Sequence, residues 1–131
     1  MIGIDTNVLV RYLTLDDVDQ IEGVDRLVES ALERDEPLHI DGIVLCETAW
    51  VLRTVYDLPR GEIADALERI LDTRQFAIED RDSARRALDA FAEGPGDFAD
   101  YLIGERNRRA GCKTTMTFDR ALADSGLFEG L

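Results

Sequence analysis

Apolar residues along the chain occur either in short unbroken runs or at helical spacing, and the two patterns together predict an α/β fold. The runs at 2–4, 38–40, 75–80 and 112–118 have the length and composition of buried strands, and the closing LFEGL resembles one more. Between these runs, apolar residues three or four positions apart predict helices that begin near residues 6, 17, 42, 61, 82 and 98. Because strands and helices alternate, we expect the strands to pair mainly in parallel.

Residues that favour helix ends support these boundaries. Asp17 and Gln20 have the spacing of a capping box, in which two side chains bond to backbone N–H groups at the start of a helix. Asp80 or Asp82 is placed to cap the fifth predicted helix, and Gly111 is placed to end the sixth. The sixth helix is therefore expected to stop just before the strand at 112–118.

The length of 131 residues predicts one domain, 1–131, with a single core. No apolar run reaches the roughly 18 residues of a membrane span. The N-terminus lacks the basic region and cleavage site of a signal peptide, so we expect a cytoplasmic protein without a membrane partner. Cys46 and Cys112 lack a CxxC spacing, which favours buried, reduced thiols over a metal site or a disulfide.

The net charge of −13 changes the set of plausible partners. Lys113 is the only lysine, and the acidic residues outnumber the basic ones by 28 to 15. Such a surface repels nucleic acid at long range, so any polyanion must be bound locally. A basic partner protein is compatible with the charge, because opposite net charges raise association rates.

Several acidic residues stand where ligands collect in α/β proteins. Asp5 follows the first predicted strand, Asp119 follows the strand at 112–118, and Asp97 and Asp100 share the first turn of the last helix. Because the carboxyl ends of parallel strands meet at one edge of a sheet, these acids are candidates for a shared site. Asp5 and Asp97 are equally well placed to cap the helices that follow them.

Glu47 is unusual because it lies in the nearly continuous apolar helix that begins near residue 42. On a helix its neighbours include Ile43 and Trp50, so we expect its carboxylate to be half buried and to need a partner. That partner is either Arg53 or a bound cation, and the spacing leaves both open. We interpret Trp50 as a core or interface residue.

Four strings in order along the chain resemble PIN-domain proteins of the VapC type. They are GIDTNVLVRYLT, VLCETAWVL, GDFADYLI and TTMTFDR, and with LFEGL they extend over nearly the whole sequence. The resemblance implies a three-layer α/β/α fold with a short central, mainly parallel sheet of four or five strands. It also implies a metal-dependent endoribonuclease, usually the toxin of a type II toxin–antitoxin pair, with RNA as substrate, an antitoxin as partner and a homodimer as assembly.

The resemblance also assigns roles to individual residues. Hard oxygen ligands of this kind suit Mg²⁺ or Mn²⁺, which can activate a water for attack on a phosphodiester. The acids that match the family's catalytic and metal-binding positions are Asp5, Glu47, Asp100 and Asp119, with Asp97 as a fifth carboxylate or only a cap. The polar residues that match orienting positions are Thr6, Asn7 and Thr117, and Thr6 and Asn7 would then also cap the first helix. The chain departs from the family's pattern at Gly42 and Pro59, neither of which is one of these acids.

The densest basic cluster follows the acidic start of the last helix and comprises Arg106, Arg108, Arg109 and Lys113. These side chains could bind flanking phosphates of an RNA. They could equally well interact with the negative end of the helix dipole and keep the outer face of the helix hydrated.

Two other classes of function compete with the nuclease. One is a catalytically silent PIN-like module that docks a basic antitoxin or another protein. The other is an aspartate-based phosphohydrolase or receiver-like domain, which also places an aspartate after its first strand. The latter expects a second aspartate where this chain has Asn7, or a lysine late in the sheet, whereas Lys113 lies at the wrong end of its predicted strand.

Overall fold

The computed structural model describes residues 1–14, 18–123 and 125–131, which form six helices and five strands. They divide into two compact units, Met1–Glu79 and Asp80–Leu131. The predicted α/β class is confirmed, and every strand pair in the described residues is parallel, as expected. The strands form one sheet of three and one sheet of two. In the described part of the chain, every helix is too short or too polar to span a bilayer.

The first unit contains three strands and four helices. In chain order they are β1 (Ile2–Gly3), α1 (Thr6–Leu13), α2 (Val18–Glu33), β2 (Leu38–Ile40), α3 (Gly42–Thr54), α4 (Arg60–Asp72) and β3 (Phe76–Ile78). The predicted positions of these elements are confirmed to within a few residues. The capping box at Asp17 and Gln20 stays a prediction, because Asp17 lies outside the described residues.

The sheet of the first unit has the order β1-β2-β3, with Leu38 paired to Ile2 on one side and to Phe76 on the other. The central strand is the most buried of the three, and Leu38 and Ile40 are fully buried. α1 packs on both α2 and α3, and α3 packs on α4. Each parallel strand is therefore followed by helices, and the end of β1 delivers the chain directly into α1.

The second unit consists of α5 (Arg81–Glu93), α6 (Phe98–Arg109), β4 (Thr115–Thr117) and β5 (Phe128–Gly130). α5 packs on α6 through a buried stripe at helical spacing, namely Ala84, Ala87, Leu88 and Phe91. β4 pairs with β5 so that Thr115 lies opposite Phe128. Asp80 caps α5, and Gly111, with a positive φ of 102°, follows the end of α6 as predicted.

The two cysteines differ from expectation in their burial. Both are free thiols, as predicted, but Cys112 is exposed and Cys46 is half buried. Cys112 lies in the turn between α6 and β4, because β4 begins only at Thr115. A cysteine in a surface turn has no core to pack against, so the prediction that Cys112 is buried in a strand is wrong.

Candidate functional site

Asp5 both caps a helix and presents its carboxylate to solvent. Its Oδ1 accepts a hydrogen bond from the backbone N–H of Val8 at 3.0 Å, and its backbone has the extended conformation of an N-cap residue. The prediction that Thr6 and Asn7 cap α1 is wrong. Asp5 precedes the first residue of the helix, and its side chain already accepts the capping hydrogen bond from the N–H of Val8. The side chain of Asp5 remains exposed where β1 ends.

Glu47 lies on the outward face of α3 and is exposed, so its predicted half burial is wrong. The same face carries Ile43 and Trp50, which are 67% and 57% exposed. Trp50 is thus not a core residue, because Leu45, Ala49 and Leu52 occupy the buried face instead. Glu47 forms no ion pair with any described residue, so the pairing with Arg53 is not observed.

Thr6 connects these two acids within the first unit. Its hydroxyl donates a hydrogen bond to Oε1 of Glu47 at 3.2 Å, across 41 residues of sequence. Thr6 is the first residue of α1, so the carboxylate of Glu47 is held beside the helix start that Asp5 caps. Thr6 therefore places the carboxylate of Glu47 next to the start of α1. The predicted roles of Asp5, Glu47 and Thr6 at a metal stay predictions.

A groove of about 330 Å³ runs beside Asp5 between α1 and α2. Asn7 lines it, but its side chain has no hydrogen bond to any described residue. Arg11 also lines it and is held by hydrogen bonds to Gln20 and, at 3.0 Å, to the hydroxyl of Tyr56. Asp5, whose side chain is exposed, is one of the residues that line the groove.

In the second unit, Asp97 and Asp100 form a capping box at the start of α6. The backbone N–H of Asp97 donates to Oδ2 of Asp100 at 2.9 Å, and the side chain of Asp97 accepts from the backbone of Asp100. The role of Asp97 as a cap is confirmed. Asp100 is half buried and Asp97 is exposed, so both carboxylates reach the surface at one helix end.

Tyr101 supports the loop before these acids, a role that the sequence did not reveal. Its side chain is buried, and its hydroxyl accepts a hydrogen bond from the backbone N–H of Gly96 at 3.1 Å. A Cβ on Gly94 would lie only 1.9 Å from that hydroxyl, so the loop can close over the ring only with glycine there. The available signal was the pair of glycines around Pro95, followed by a tyrosine on the first turn of the helix.

Asp119 sits in a tight turn after β4. Its backbone N–H donates to the hydroxyl oxygen of Thr117 at 3.0 Å, and its Oδ1 accepts from the N–H of Ala121 at 2.9 Å. Thr117 thus contacts the backbone of Asp119, and its predicted role in orienting the carboxylate stays a prediction. A Cβ on Gly96 would lie 2.6 Å from a methyl carbon of Leu122, so the segment after Asp119 packs against the loop that leads to Asp97.

The four predicted acids share a donor arrangement that suits a hard divalent cation. Asp5, Glu47, Asp100 and Asp119 each use one carboxylate oxygen for a protein hydrogen bond, and the second oxygen has no donor among the described residues. None of them pairs with a cationic side chain in the part of the chain that the structure describes. Oriented carboxylates with a vacant oxygen are the ligands that Mg²⁺ and Mn²⁺ prefer. Within either unit taken alone, however, the described residues hold no group of three or more His, Cys, Asp or Glu side chains that could bind a metal.

The basic cluster after α6 is partly occupied by internal ion pairs. Arg108 makes two hydrogen bonds, at 2.8 and 2.7 Å, to the carboxylate of Glu105, which is 5% exposed. Arg109 pairs with Asp80. Burial alone would raise the pKa of Asp80, but hydrogen bonds from Ser83 and the charge of Arg109 outweigh it and lower that pKa below its usual value of 3.8.

Lys113 and Arg106 complete the cluster, and both are exposed. Lys113 has no ion pair with a described residue. Two of the four predicted RNA contacts, Arg108 and Arg109, therefore have structural partners that the sequence did not indicate. Glu105 is the buried acid that sequence reasoning missed, since the arginine three residues later is its only signal.

Comparison with known protein families identifies the family of this chain. The family model described as PIN domain matches residues 2–126 of the 131-residue chain. Comparison with curated protein sequences gives no match. PIN domains are usually nucleases that use divalent metals, which agrees with the acids above and supports a hydrolase activity of the nuclease type. The match extends over both units and nearly every residue, and the chain belongs to the PIN domain family.

Proposed function

We propose that the protein is an endoribonuclease that depends on Mg²⁺ or Mn²⁺ and hydrolyses RNA phosphodiester bonds. We further propose that it is a VapC-type toxin, with a cognate antitoxin as partner and a homodimer as its assembly. The observation that carries the proposal is the set of four acids at predicted positions that have no cationic partner among the described residues. A family whose members are usually metal-dependent nucleases supports the same conclusion.

In this proposal the metal ligands are Asp5, Glu47, Asp100 and Asp119. A bound Mg²⁺ or Mn²⁺ supplies a water of lowered pKa and offsets the charge of the phosphate. Thr6 orients Glu47 by donating to one of its oxygens, and Thr117 fixes the backbone of Asp119. Glu47 and Asp119 each use one carboxylate oxygen for a protein hydrogen bond and keep the other available, which reduces the reorganisation needed on binding.

The charge of the protein makes local neutralisation necessary. Two carboxylates about 4 Å apart repel by roughly 4 kcal/mol at an effective dielectric of 20, and a phosphate adds to that repulsion. Within the basic cluster, Lys113 is the side chain best suited to a flanking phosphate, because it has no ion pair with a described residue. Arg108 and Arg109 are already committed to Glu105 and Asp80.

The amide variants Asp5→Asn, Glu47→Gln, Asp100→Asn and Asp119→Asn give the sharpest test. Each keeps an oxygen that can accept the observed hydrogen bond, so the helix cap or turn is retained while the charge is lost. We expect each variant to remain folded and to lose cleavage of a fluorogenic single-stranded RNA in Mg²⁺ or Mn²⁺. Asp89→Asn, on the exposed face of α5, is the matched control and should cleave like the wild type. Cleavage that survives Asp5→Asn and Asp100→Asn, or survives EDTA, would refute the proposal.

A catalytically silent PIN-like module is the second candidate, and the net charge of −13 favours it if the partner is basic. Titration of Mn²⁺ into the wild type by calorimetry separates the two functions. A nuclease should bind Mn²⁺ with a signal that Asp5→Asn abolishes, whereas a silent module should show no specific uptake. The phosphohydrolase or receiver-like alternative loses its support, because the family match is to PIN domains.

A further inference from the structure

Phe118 is the most exposed large apolar side chain of the described residues, and it is adjacent in sequence to Asp119. Its ring is 83% exposed, whereas the other four phenylalanines are buried, namely Phe76, Phe91, Phe98 and Phe128. Among the described residues it contacts no other aromatic ring. A phenylalanine left in water next to a proposed metal ligand calls for an explanation other than packing.

The exposure of Phe118 follows from a backbone that is fixed on both sides. The carbonyl of Thr117 accepts the N–H of Leu131 at 3.0 Å, and the hydroxyl of Thr117 accepts the N–H of Asp119 at 3.0 Å. The carbonyl of Asp119 then accepts the N–H of Leu122 at 3.1 Å. Because these bonds fix the chain immediately before and after the ring, Phe118 is held at the surface by the structure of the turn.

Phe118 is one of three exposed apolar side chains at the end of the β4–β5 sheet. Met116 is 49% exposed and Leu131 is 78% exposed, and the N–H of Leu131 is hydrogen-bonded to the carbonyl of the residue before Phe118. Asp119, a proposed metal ligand, follows Phe118 directly in the chain. An exposed aromatic ring beside a proposed metal ligand matches the two parts of a nucleotide, its base and its phosphate.

We propose that Phe118 is the platform on which one base of single-stranded RNA stacks next to the bond that is cleaved. The proposal rests on the endoribonuclease function above and names how its substrate is held. The net charge of −13 supports it, because the protein repels the phosphate backbone at long range and uncharged contacts add affinity that this repulsion does not reduce. Stacking on an aromatic ring is such a contact, and it accepts any base.

Binding is measured by fluorescence anisotropy with a short labelled single-stranded RNA, in an Asp100→Asn parent that is expected not to cleave it. In this parent, Phe118→Ala should raise Kd by about 5- to 150-fold, the range for loss of one stacked base. Phe118→Trp should bind as well as the parent or better, because it keeps a ring. Leu32→Ala is the matched control, since Leu32 is a 53% exposed apolar residue on α2. Its Kd should not change.

Single abasic positions in the RNA identify the stacked base. One abasic position should weaken binding to the parent and add little to the loss already caused by Phe118→Ala. If Phe118→Ala leaves Kd unchanged, if every abasic position weakens both proteins equally, or if the parent binds no RNA, the stacking proposal is wrong. If Phe118→Ala changes the molecular mass of the protein in solution but leaves the Kd for RNA unchanged, the stacking proposal is also wrong. Phe118 would then belong to an interface between protein chains.

The same experiments separate this proposal from the endoribonuclease function. If the wild type cleaves RNA with Mg²⁺ but Phe118→Ala has the wild-type KM, only the stacking proposal fails. If RNA binding depends on Phe118 while the wild type cleaves nothing in Mg²⁺ or Mn²⁺, only the nuclease function fails.

Discussion

Replacing Arg108 with alanine tests whether the basic cluster stabilises the fold or binds substrate. The variant leaves the carboxylate of Glu105, which is 5% exposed, without its partner and without two hydrogen bonds of 2.8 and 2.7 Å. Breaking a fully buried pair costs about 3–5 kcal/mol. The side chain of Arg108 is 58% exposed, so water can reach Glu105 once the guanidinium is gone, and we expect a loss of about 1–3 kcal/mol.

Thermal and urea unfolding measure this loss directly. For a chain of this length, each kcal/mol corresponds to roughly 3–5 °C in Tm. Lys113→Ala removes a positive charge from the same cluster without breaking a pair, so its Tm should stay within about 2 °C of the wild type. The double variant Arg108→Ala with Glu105→Gln should recover part of the loss, because no uncompensated charge remains. A Tm for Arg108→Ala equal to that of Lys113→Ala would refute the structural role of the pair.

Four further variants test the loop, the ion pair and the cap described above. Gly94→Ala should lower the free energy of unfolding by about 1–3 kcal/mol or more, because its Cβ would collide with the hydroxyl of Tyr101. A variant that proves as stable as the wild type in urea denaturation would contradict this. Asp80→Asn should make the free energy of unfolding depend less on pH in acid. The pKa of Asp80 in the folded protein lies below 3.8, so the wild type loses the stabilisation from the ionised carboxylate as pH falls below 3.8 and through the folded pKa. If the free energy of unfolding fell equally with pH for both proteins, this prediction would be wrong. Asp5→Ala should cost about 1 kcal/mol in urea denaturation through loss of the cap of α1, whereas Asp5→Asn should cost little; an equal loss in both would argue against the cap.

Most elements of the fold could be predicted because they depend on local patterns. α1, α4 and α5 have one apolar face each, so their spacing alone indicates a helix. The strands are bounded by turn residues, and Gly111 marks a backbone conformation that favours glycine. The cap at Asp97 was predictable for the same reason, since a cap contacts only the next turn of its own helix.

Contacts between distant segments could not be predicted from spacing. α3 is apolar on nearly every face, so the sequence did not indicate that Ile43 and Trp50 face outward with Glu47. The bond from Thr6 to Glu47 crosses 41 residues, and the pair of Arg109 with Asp80 crosses 29. Positions at strand and helix ends therefore indicated Asp5, Asp100 and Asp119, and the resemblance to a family joined them with Glu47 in one predicted site. What the structure adds is which oxygen of each carboxylate is already used.

The closure of the loop over Tyr101 constrains how this sequence can vary. The position of the Tyr101 hydroxyl excludes a side chain at Gly94, and the ring also lies within 3.2 Å of a Cβ on Gly96. A substitution at Gly94 therefore requires a smaller residue at position 101, whereas one at Gly96 first requires the side chain of Leu122 to move. In an alignment of homologous chains, positions 94 and 101 should change jointly, and proteins that keep a tyrosine at position 101 should keep the glycine at position 94.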